Sequence, residues 1–394
     1  MDTAHSELGV GMVGYAFMGA AHSQAWRTAP RFFELPITPR MRALAGRDPG
    51  AVKAAADRLG WEQTATGWAE LIERPDIDLI DICTPGHTHA EIAIAALDAG
   101  KHVLCEKPLA NTLAEAEAMV AAADRAAARG VRSMVGFTYR RVPAVQLARQ
   151  LVVDGRLGTI RHVRVQYLQD WLTDPSAPLT WRLDKDLAGS GALGDIGSHA
   201  VDLAQFITGE SVTGVAAALE TFVTERPYPA GGASGGLVQA AGAERGPVTV
   251  DDAAVFLARL TGGGLGVFEA TRFATGRKNA LRIEVNGSDG SLAFDFEDMN
   301  VLEFFDGRDD TQVQGFRRVL VTEPEHPYLQ AWWPAGHGLG YEHAFTHQVV
   351  DLMTAIDAGT DPTPSFADGL AVQRVLDAVE RSAASDSGWT AVDN

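Results

Sequence analysis

The stretch LGVGMVGYAFMGAAH, residues 8–22, gives the strongest indication of fold in this chain. Residues 8–13 are apolar, as in a buried strand, and the residues after the turn predict a helix over 18–29. The same alternation continues to about residue 138. Further strands are expected at 41–46, 77–83, 102–106 and 132–137, with helices at 49–60, 89–100 and 112–130 between them. Alternating strands and helices predict a parallel sheet with helices on both faces.

The turn inside this stretch has the pattern of a phosphate-binding loop. Gly14, Ala16 and Gly19 match G-x-G-x-x-G with alanine at the middle position. The first residue permits a tight turn, the second lets a pyrophosphate approach the backbone, and the third lets the helix pack on the strand. With Phe17 and Met18 at the positive helix N-terminus, the turn predicts a dinucleotide site. A purely structural tight turn is the alternative.

The rhythm changes after residue 138. A long strand is expected at 160–171, hairpins at 253–273 and 280–296, a loop or excursion at 227–250, and helices near 193–207, 340–357 and 366–384. We therefore predict an α/β protein with two domains. Residues 1–138 form a Rossmann domain with a doubly wound parallel sheet. Residues 139–394 form an α+β domain that binds substrate and mediates oligomerisation through a large, mostly antiparallel, open-faced sheet.

Composition limits the classes of partner. The 394 residues include 33 Lys and Arg against 51 Asp and Glu, a net charge of −18, which argues against nucleic acid or an anionic membrane as the main partner. No apolar run is long enough to span a bilayer, and the first ten residues lack a basic region, so no signal peptide is expected. The two cysteines, Cys83 and Cys105, are expected to be reduced core residues of a cytoplasmic protein.

The end of the second strand bears on the choice of nicotinamide cofactor. An acidic residue there would bind the ribose 2′-hydroxyl and repel a 2′-phosphate. That position is Gly46, and Arg47 follows it. Arg47 favours the 2′-phosphate of NADP, although Asp48, one residue further on, leaves NAD open, as does a solvated turn.

Two other segments carry candidate chemistry. Lys107, in CEKPLA (105–110), follows a strand at the edge where ligands bind, and could stabilise a developing alkoxide. Asp195 and His199 lie four residues apart on an expected helix, hence on one face. A histidine there suits proton transfer near neutral pH. A metal site of Asp195, His199 and Asp202, assisted by other histidines such as His343 and His347, is the alternative, as is a helix with structural roles only.

Three quoted stretches carry a family resemblance. GYAFMGAAH (14–22), DLIDICTPGHTHAEIAIAALDAGKHVLCEKPLA (78–110) and GALGDIGSHAVDLA (191–204) together resemble the Gfo/Idh/MocA oxidoreductases, in particular their sugar dehydrogenases. The resemblance implies that His199 is the general acid/base, that Asp195 contacts a substrate hydroxyl and orients the histidine, and that Lys107 completes the set. It also implies dimers or tetramers.

Further residues are candidates for ligand contacts. Around the cofactor we expect Thr84, Pro85, His87, His89, Glu106, Trp181 and Arg182. Around the substrate we expect Tyr139, Arg140, Gln169, Asp170, Arg272 and Tyr341. Sugars need several polar partners against an aromatic wall, which these residue types supply.

The sequence thus predicts a dehydrogenase that uses NAD or NADP, with a lean towards NADP and no metal. It would oxidise a secondary hydroxyl of a sugar, anhydrosugar or cyclitol, or reduce the ketone. A glycosidase that oxidises its substrate transiently, or a sensor that keeps the cofactor pocket, is the alternative on the same fold.

Overall fold

The computed structural model describes residues 6–230 and 241–393, which form two compact units. The first unit runs to Thr138 and also includes Tyr341–Leu370, while the second takes Tyr139–Gly340 and the chain from Ala371 onward. The sequence led us to expect one boundary, between 138 and 139, and not the return of 341–370 to the first unit. Among the helices of the described residues, none is both long and apolar enough to cross a bilayer.

The first unit is built on a six-stranded parallel sheet in the order β3-β2-β1-β4-β5-β6. Its strands are β1 Ser6–Val13, β2 Ile37–Ala45, β3 Gln63–Ala65, β4 Leu79–Ile82, β5 His102–Cys105 and β6 Ser133–Val135. Its connecting helices are α1 Phe17–Phe32, α2 Pro49–Leu59, α3 Trp68–Glu73, α4 His89–Asp98 and α5 Leu113–Ala127. This order confirms the doubly wound arrangement predicted from the sequence. The strand order reverses between β1 and β4, and ligands of open α/β sheets bind beyond the carboxyl ends at that point.

Local capping interactions fix the helix ends of this unit. The Asp48 side chain accepts a hydrogen bond from the Ala51 N–H at 2.7 Å at the start of α2, and Gly60 ends that helix with φ 84°. Thr112 and Glu115 form a reciprocal capping box at the start of α5. These contacts satisfy backbone groups that a helix terminus otherwise leaves unpaired.

A late helix, α9 Tyr341–Ala358, completes the first unit by packing on α1. Its buried Phe345, Val349 and Leu352 join the core formed by β1, β2 and α1. Gln348 accepts a hydrogen bond from the Thr138 hydroxyl at 2.9 Å. These contacts explain why 341–370 belongs to this unit although it follows the second in sequence.

The second unit is built on a nine-stranded sheet in the order β16-β15-β14-β13-β7-β12-β11-β8-β17. In chain order the strands of this unit are β7 Ile160–Leu168, β8 Val212–Glu220, the separate two-stranded ribbon β9 Glu225–Pro229 and β10 Ala241–Pro247, β11 Ala253–Leu260, β12 Leu265–Thr271, β13 Ala280–Gly287, β14 Gly290–Asp295, β15 Val301–Asp306, β16 Arg317–Leu320 and β17 Thr390–Ala391. Its helices are α6 Pro143–Val153, α7 Lys185–Ala188, α8 Ser198–Thr208 and α10 Phe366–Ala384, which begins in the first unit. Strands β7 and β12 pair in parallel, whereas the other neighbouring strands of the large sheet are antiparallel.

The large sheet has one covered and one open face. Along β11, Ala254, Phe256 and Ala258 are buried, while the alternate residues Val255 and Leu257 point to the other face, where they are 49% and 56% exposed. Alternation with a period of two is what a strand imposes on its side chains. The expected hairpins at 253–273 and 280–296 are present as β11–β12 and β13–β14.

Two segments differ in detail from what the sequence predicts. The segment expected as a loop at 227–250 contains most of the antiparallel ribbon β9–β10, while its residues 231–240 lie outside the described part of the chain. The helix expected from residue 193 begins with a π-helical turn, Leu193–Gly197, before α8. Single π turns are frequent at functional sites.

Candidate active site

The glycine-rich turn between β1 and α1 has little space for side chains. Gly14 has φ +99°, and a Cβ there would lie 2.7 Å from the Cys83 carbonyl oxygen. A Cβ on Gly19 would lie 2.3 Å from the Gly14 carbonyl oxygen. Ala16, the N-cap of α1, is exposed and supplies no side-chain cap. The first N–H groups of the helix therefore have no side-chain oxygen at the N-cap, which suits a pyrophosphate.

The end of β2 explains the missing acidic residue. A Cβ on Gly46 would lie 2.2 Å from the Tyr15 ring, so the ring occupies the space that a larger side chain would need. The Asp48 carboxylate, which the sequence left open as a ribose ligand, instead caps α2. Arg47 is the charged side chain that remains at this strand end.

The loops after β4 and β5 are braced by a histidine. His89 is buried, and its Nδ1 and Nε2 lie 3.0 and 2.9 Å from the carbonyl oxygens of Pro108 and Thr84. Burial lowers the pKa of His89, although these hydrogen bonds oppose the shift. His89 thus serves as a brace and does not present its ring to a ligand. His87, by contrast, is exposed, in the short helix after Pro85.

Glu106 and Lys107 begin the loop after β5. The Glu106 side chain is buried and turns back, so that one carboxylate oxygen accepts the Lys107 backbone N–H at 3.2 Å. Glu106 was expected to contact cofactor, but the structure uses its carboxylate inside the unit. Lys107 itself is half-buried.

Sequence reasoning missed the partner of Glu106. The other carboxylate oxygen lies 3.0 Å from Nε2 of His22, whose Nδ1 lies 2.9 Å from the Asp81 carboxylate. Burial alone would lower the pKa of His22, but the negative charge of Asp81 and the hydrogen bond to it oppose burial, and the pKa is held well above its ordinary value. An aspartate inside the apolar run LIDIC was the available signal, because a carboxylate in the middle of a buried strand requires a partner.

In the second unit, a buried carboxylate holds the segment that contains Asp195. The two oxygens of Asp251 accept the backbone N–H groups of Gly191 and Leu193 at 2.7 and 2.8 Å. A Cβ on Gly191 would lie 1.7 Å from the Asp251 carbonyl oxygen, so the position requires glycine. These contacts fix the backbone at the start of the π turn.

Two arginines lie near Asp195, whose side chain is 30% exposed. Nη1 of the buried Arg272 lies 3.7 Å from the Asp195 carboxylate. Burial lowers the pKa of Arg182, and the negative charge of Asp195 opposes that shift. Arg182 also lies over the ring of Trp181 at 4.5 Å, and Arg272 lies over Trp171 at 5.6 Å. The structure therefore brings Arg182 and Arg272 to Asp195.

Aromatic rings surround His199. The ring of Tyr139 stacks on the imidazole with centroids 4.4 Å apart, and Tyr167 approaches it edge-on at 5.9 Å. The Tyr139 and Tyr167 hydroxyls are 2.9 Å apart, and Tyr167 donates to Asn279 at 2.8 Å. Gln169 donates to the same Asn279 oxygen at 2.9 Å. Tyr139 and Gln169 were expected here, whereas Tyr167 and Asn279 were not.

Three expected substrate contacts have other partners. Arg140 is buried and binds the Asp202 carboxylate at 2.6–3.0 Å. Asp202, the third ligand of the alternative metal site, is therefore already paired with an arginine. Asp170 binds Lys278 at 2.7 Å, and this hydrogen bond lowers the pKa of Asp170. Tyr341 lies in the first unit, stacked on Phe17 of the phosphate turn at 6.0 Å.

The donor set of the first unit fits a dinucleotide. The phosphate turn at a long helix, the open strand ends of β1 and β4, and Arg47 lie on one sheet. The residues there that would hold the cofactor are Gly14, Ala16, Phe17, Met18, Gly19, Gly46, Arg47, Thr84 and Pro85.

Comparison with known proteins first gives the class. The family model for oxidoreductases with an NAD-binding Rossmann fold matches residues 8–137, and that for the GFO/IDH/MocA C-terminal domain matches residues 145–293. The chain therefore belongs to the Gfo/Idh/MocA family and is an oxidoreductase with an NAD-binding Rossmann domain.

Individual relatives narrow the class. Levoglucosan dehydrogenase of Pseudarthrobacter phenanthrenivorans is 43% identical over 98% of this chain and 98% of its own. Inositol 2-dehydrogenase of Rhizobium meliloti is 27% identical over 95% of this chain and 96% of its own. An oxidoreductase domain protein from Kribbella flavida superposes with a TM-score of 0.94 and 68% identity, covering 99% of this chain and 100% of that one. Levoglucosan dehydrogenase in complex with NADH and levoglucosan superposes with a TM-score of 0.92 and 41% identity, with the same coverage.

Proposed function

We propose that this protein is a nicotinamide-dependent dehydrogenase that oxidises a secondary hydroxyl of an anhydrosugar, sugar or cyclitol, or reduces the corresponding ketone. One observation supports it most directly. The chain combines a glycine-lined phosphate turn with an imidazole, that of His199, which lies against aromatic rings four residues after the partly exposed Asp195. The similarity to levoglucosan dehydrogenase over nearly the whole chain supports an anhydrosugar as the first substrate to try.

Each polar side chain has a distinct role in this proposal. The bound nicotinamide supplies the hydride acceptor. The Lys107 ammonium donates a hydrogen bond to the reacting hydroxyl and lowers its effective pKa, which favours loss of the proton. His199 accepts that proton, and Asp195 receives a hydrogen bond from a neighbouring substrate hydroxyl and orients the imidazole. Arg182 and Arg272, which lie near Asp195, serve as further ligand contacts together with Trp181 and Gln169 of the same unit.

A panel of sugars and cyclitols tests the reaction. Levoglucosan, myo-inositol and glucose are incubated with NAD or NADP, and absorbance of the reduced nicotinamide is followed together with product analysis. We expect reduction of cofactor matched by ketone formation. Release of free sugar from a glycoside without net cofactor reduction would instead assign a glycosidase, and binding without turnover would assign a sensor.

Two variants test the assigned residues. We expect Lys107→Ala and His199→Ala each to lower kcat by about 10²- to 10⁴-fold, with the dissociation constant for NAD, measured by tryptophan fluorescence quenching, changed by less than about twofold. Lys53→Ala and His162→Ala, at exposed positions of the same units, are the matched controls. Normal turnover in either active-site variant refutes the role of that residue.

The cofactor preference rests on the end of β2. Arg47 supports binding of a 2′-phosphate, and the engagement of Asp48 with α2 supports it further. We therefore expect NADP to bind at least as tightly as NAD, which distinguishes this chain from a relative whose solved complexes contain NADH. Arg47→Ala should weaken NADP binding more than NAD binding, and much tighter binding of NAD by the unaltered protein would reverse the assignment.

The open sheet face supports a homodimer or homotetramer. Val255, Leu257, Leu265 and Val267 are 45–56% exposed and adjacent on β11 and β12. Contiguous exposed aliphatic side chains of this kind mark interaction surfaces. Light scattering of the unaltered protein should give a multiple of 41.9 kDa, and Leu257→Glu should reduce it. A monomer at micromolar concentration would contradict the proposal.

We further place the protein in the cytoplasm. Cys83 and Cys105 are both free thiols, in keeping with a reducing compartment. Subcellular fractionation checks this location.

A further inference from the structure

Three buried ionisable side chains form a continuous chain beneath the Lys107 loop. Asp81, in the middle of β4, contacts Nδ1 of His22 through both oxygens, at 2.9 and 3.0 Å. Nε2 of His22 contacts Glu106 at 3.0 Å. All three side chains are at most 6% exposed, so water does not replace these contacts.

The geometry sets the protonation of the ring. A neutral imidazole has one N–H and one lone pair, and a lone pair facing a carboxylate is repelled. Both ring nitrogens of His22 face carboxyl groups, and an imidazolium is the form of the ring that donates to a carboxylate from each nitrogen, so we infer that the ring is charged. The other groups around it are the Cys83 thiol, the Trp26 indole, which donates to Asp81 at 2.7 Å, and the Phe345 ring of α9 at 5.5 Å. Two carboxylates share one buried cation.

Glu106 connects this cluster to Lys107. One oxygen accepts the His22 N–H and the other accepts the Lys107 backbone N–H at 3.2 Å. Gly136 lies so close to the carboxylate that a Cβ on Gly136 would be 2.7 Å from Oε1 of Glu106. The carboxylate therefore has little freedom to rotate, and its position depends on His22.

We propose that His22 is a positioning residue, an imidazolium that holds Glu106 in place and thereby fixes the backbone from which the Lys107 side chain extends. The proposal rests on the proposed function, because it assigns a purpose to the position of Lys107. Small displacements of a reacting group are costly: about 1 Å lowers turnover by about 10²-fold.

The same side chains raise the question of a metal ion. Ligand atoms of His22, Asp81 and Cys83 lie within 4.8 Å of one another. An imidazolium has no lone pair to offer, and both ring nitrogens are already used by carboxylates. We therefore expect zinc not to bind here, and a zinc-dependent rise in melting temperature that His22→Gln abolishes would overturn the proposal.

Steady-state kinetics test the positioning role. We expect His22→Gln and Glu106→Gln to lower kcat about 10- to 100-fold, while KM for the sugar and the dissociation constant for NAD change by less than about threefold. His347→Gln is the matched control, because His347 is an equally buried histidine of the same unit that contacts Phe33. A drop in His347→Gln as large as that in His22→Gln would indicate a general loss of packing and overturn the proposal.

Histidine ¹⁵N resonances test the charge of His22 without relying on turnover. In the unaltered protein at pH 8, one ring should carry two protons, and its signal should be missing from His22→Gln and shifted in Glu106→Gln. A neutral ring refutes the positioning role alone. Full activity of Lys107→Ala refutes the role of Lys107 and the positioning role with it, whereas the absence of cofactor reduction by the unaltered protein with every sugar and cyclitol tested refutes the proposed function. If His22→Gln does not fold, the ¹⁵N spectrum and the kinetics of Glu106→Gln test the positioning role instead.

Discussion

The two segments proposed to carry the reacting groups are supported in different ways. Behind Lys107 lies a buried ionic cluster of Asp81, His22 and Glu106. Around His199 lie the rings of Tyr139 and Tyr167, linked to each other through their hydroxyls at 2.9 Å. The backbone at Lys107 is therefore held by charged groups, whereas the imidazole of His199 lies against uncharged aromatic rings, which suits its proposed role in proton transfer.

Two histidines of the first unit show how strongly partners decide protonation. His22 and His89 are both 1% exposed. His22 lies between carboxylates and its pKa is raised, while His89 lies between carbonyl oxygens and burial lowers its pKa. Equal burial therefore gives opposite shifts, because a full negative charge outweighs desolvation and a carbonyl dipole does not.

The largest effect should come from removing both proposed reacting groups at once. When two groups act together in one step, the losses of activity caused by removing each of them do not add. The double variant Lys107→Ala/His199→Ala should therefore lower kcat/KM only slightly more than the more damaging single variant does. The double variant is compared with both single variants on the same substrate. A loss equal to the product of the two single losses would show that the segments act independently.

Substituting one glycine in each segment tests which of the two segments is the more rigid. Gly191→Ala places a Cβ 1.7 Å from a backbone oxygen of Asp251, and we expect it to lower the free energy of unfolding by about 3 kcal/mol or more. Gly136→Ala places a Cβ 2.7 Å from a side-chain oxygen of Glu106, which costs about 1–3 kcal/mol. Urea denaturation of both variants measures the order, and the reverse order would show that the ionic segment is the more rigid one.

The pH dependence of stability should separate the two buried histidines. Because the pKa of His22 is raised in the folded protein, its full contribution to the free energy of unfolding is present below pH 6.5. That contribution declines as the pH rises towards the pKa of the folded state, by up to about 1.4 kcal/mol per pH unit. The lowered pKa of His89 means that its contribution is complete above pH 6.5 and declines on acidification. The unfolding free energies of the unaltered protein, His22→Gln and His89→Gln are compared between pH 5 and 9. Parallel curves for His22→Gln and the unaltered protein above pH 6.5 would argue against an imidazolium.

The smallest effect is expected at the aromatic support. Tyr139→Phe keeps the ring on His199 but loses the hydroxyl contact with Tyr167, which retains Asn279. We expect a loss of about 0.5–1.5 kcal/mol in stability and a change in kcat below tenfold. Tyr139→Leu, which also removes the stacked ring, should cost more in both measurements, and equal losses would mean that the hydroxyl, not the ring, supports His199.

Much of the fold could be predicted because it depends on local patterns. The turn Gly14–Gly19, the alternation of the first 138 residues and the two hairpins of the second unit follow from residues close in sequence. The helix at 341–358 could be predicted, but its attachment to the first unit could not. An apolar face shows that a helix packs against another element, but it does not identify that element. The ribbon β9–β10 was missed because Gly, Pro and Ala usually indicate a loop.

The sequence by itself determined the class of this protein: a strand, glycine turn and helix at residues 8–32, and the polar residues placed after strand ends, require only short-range stereochemistry. Only the tertiary structure decided which polar groups became partners. His22 contacts Asp81 and Glu106, which lie 59 and 84 positions further along the chain, and Arg140 contacts Asp202, which lies 62 positions further along. Such pairs form because buried charges must be compensated, and which charge compensates which is set by how strands and helices pack, not by any pattern along the chain.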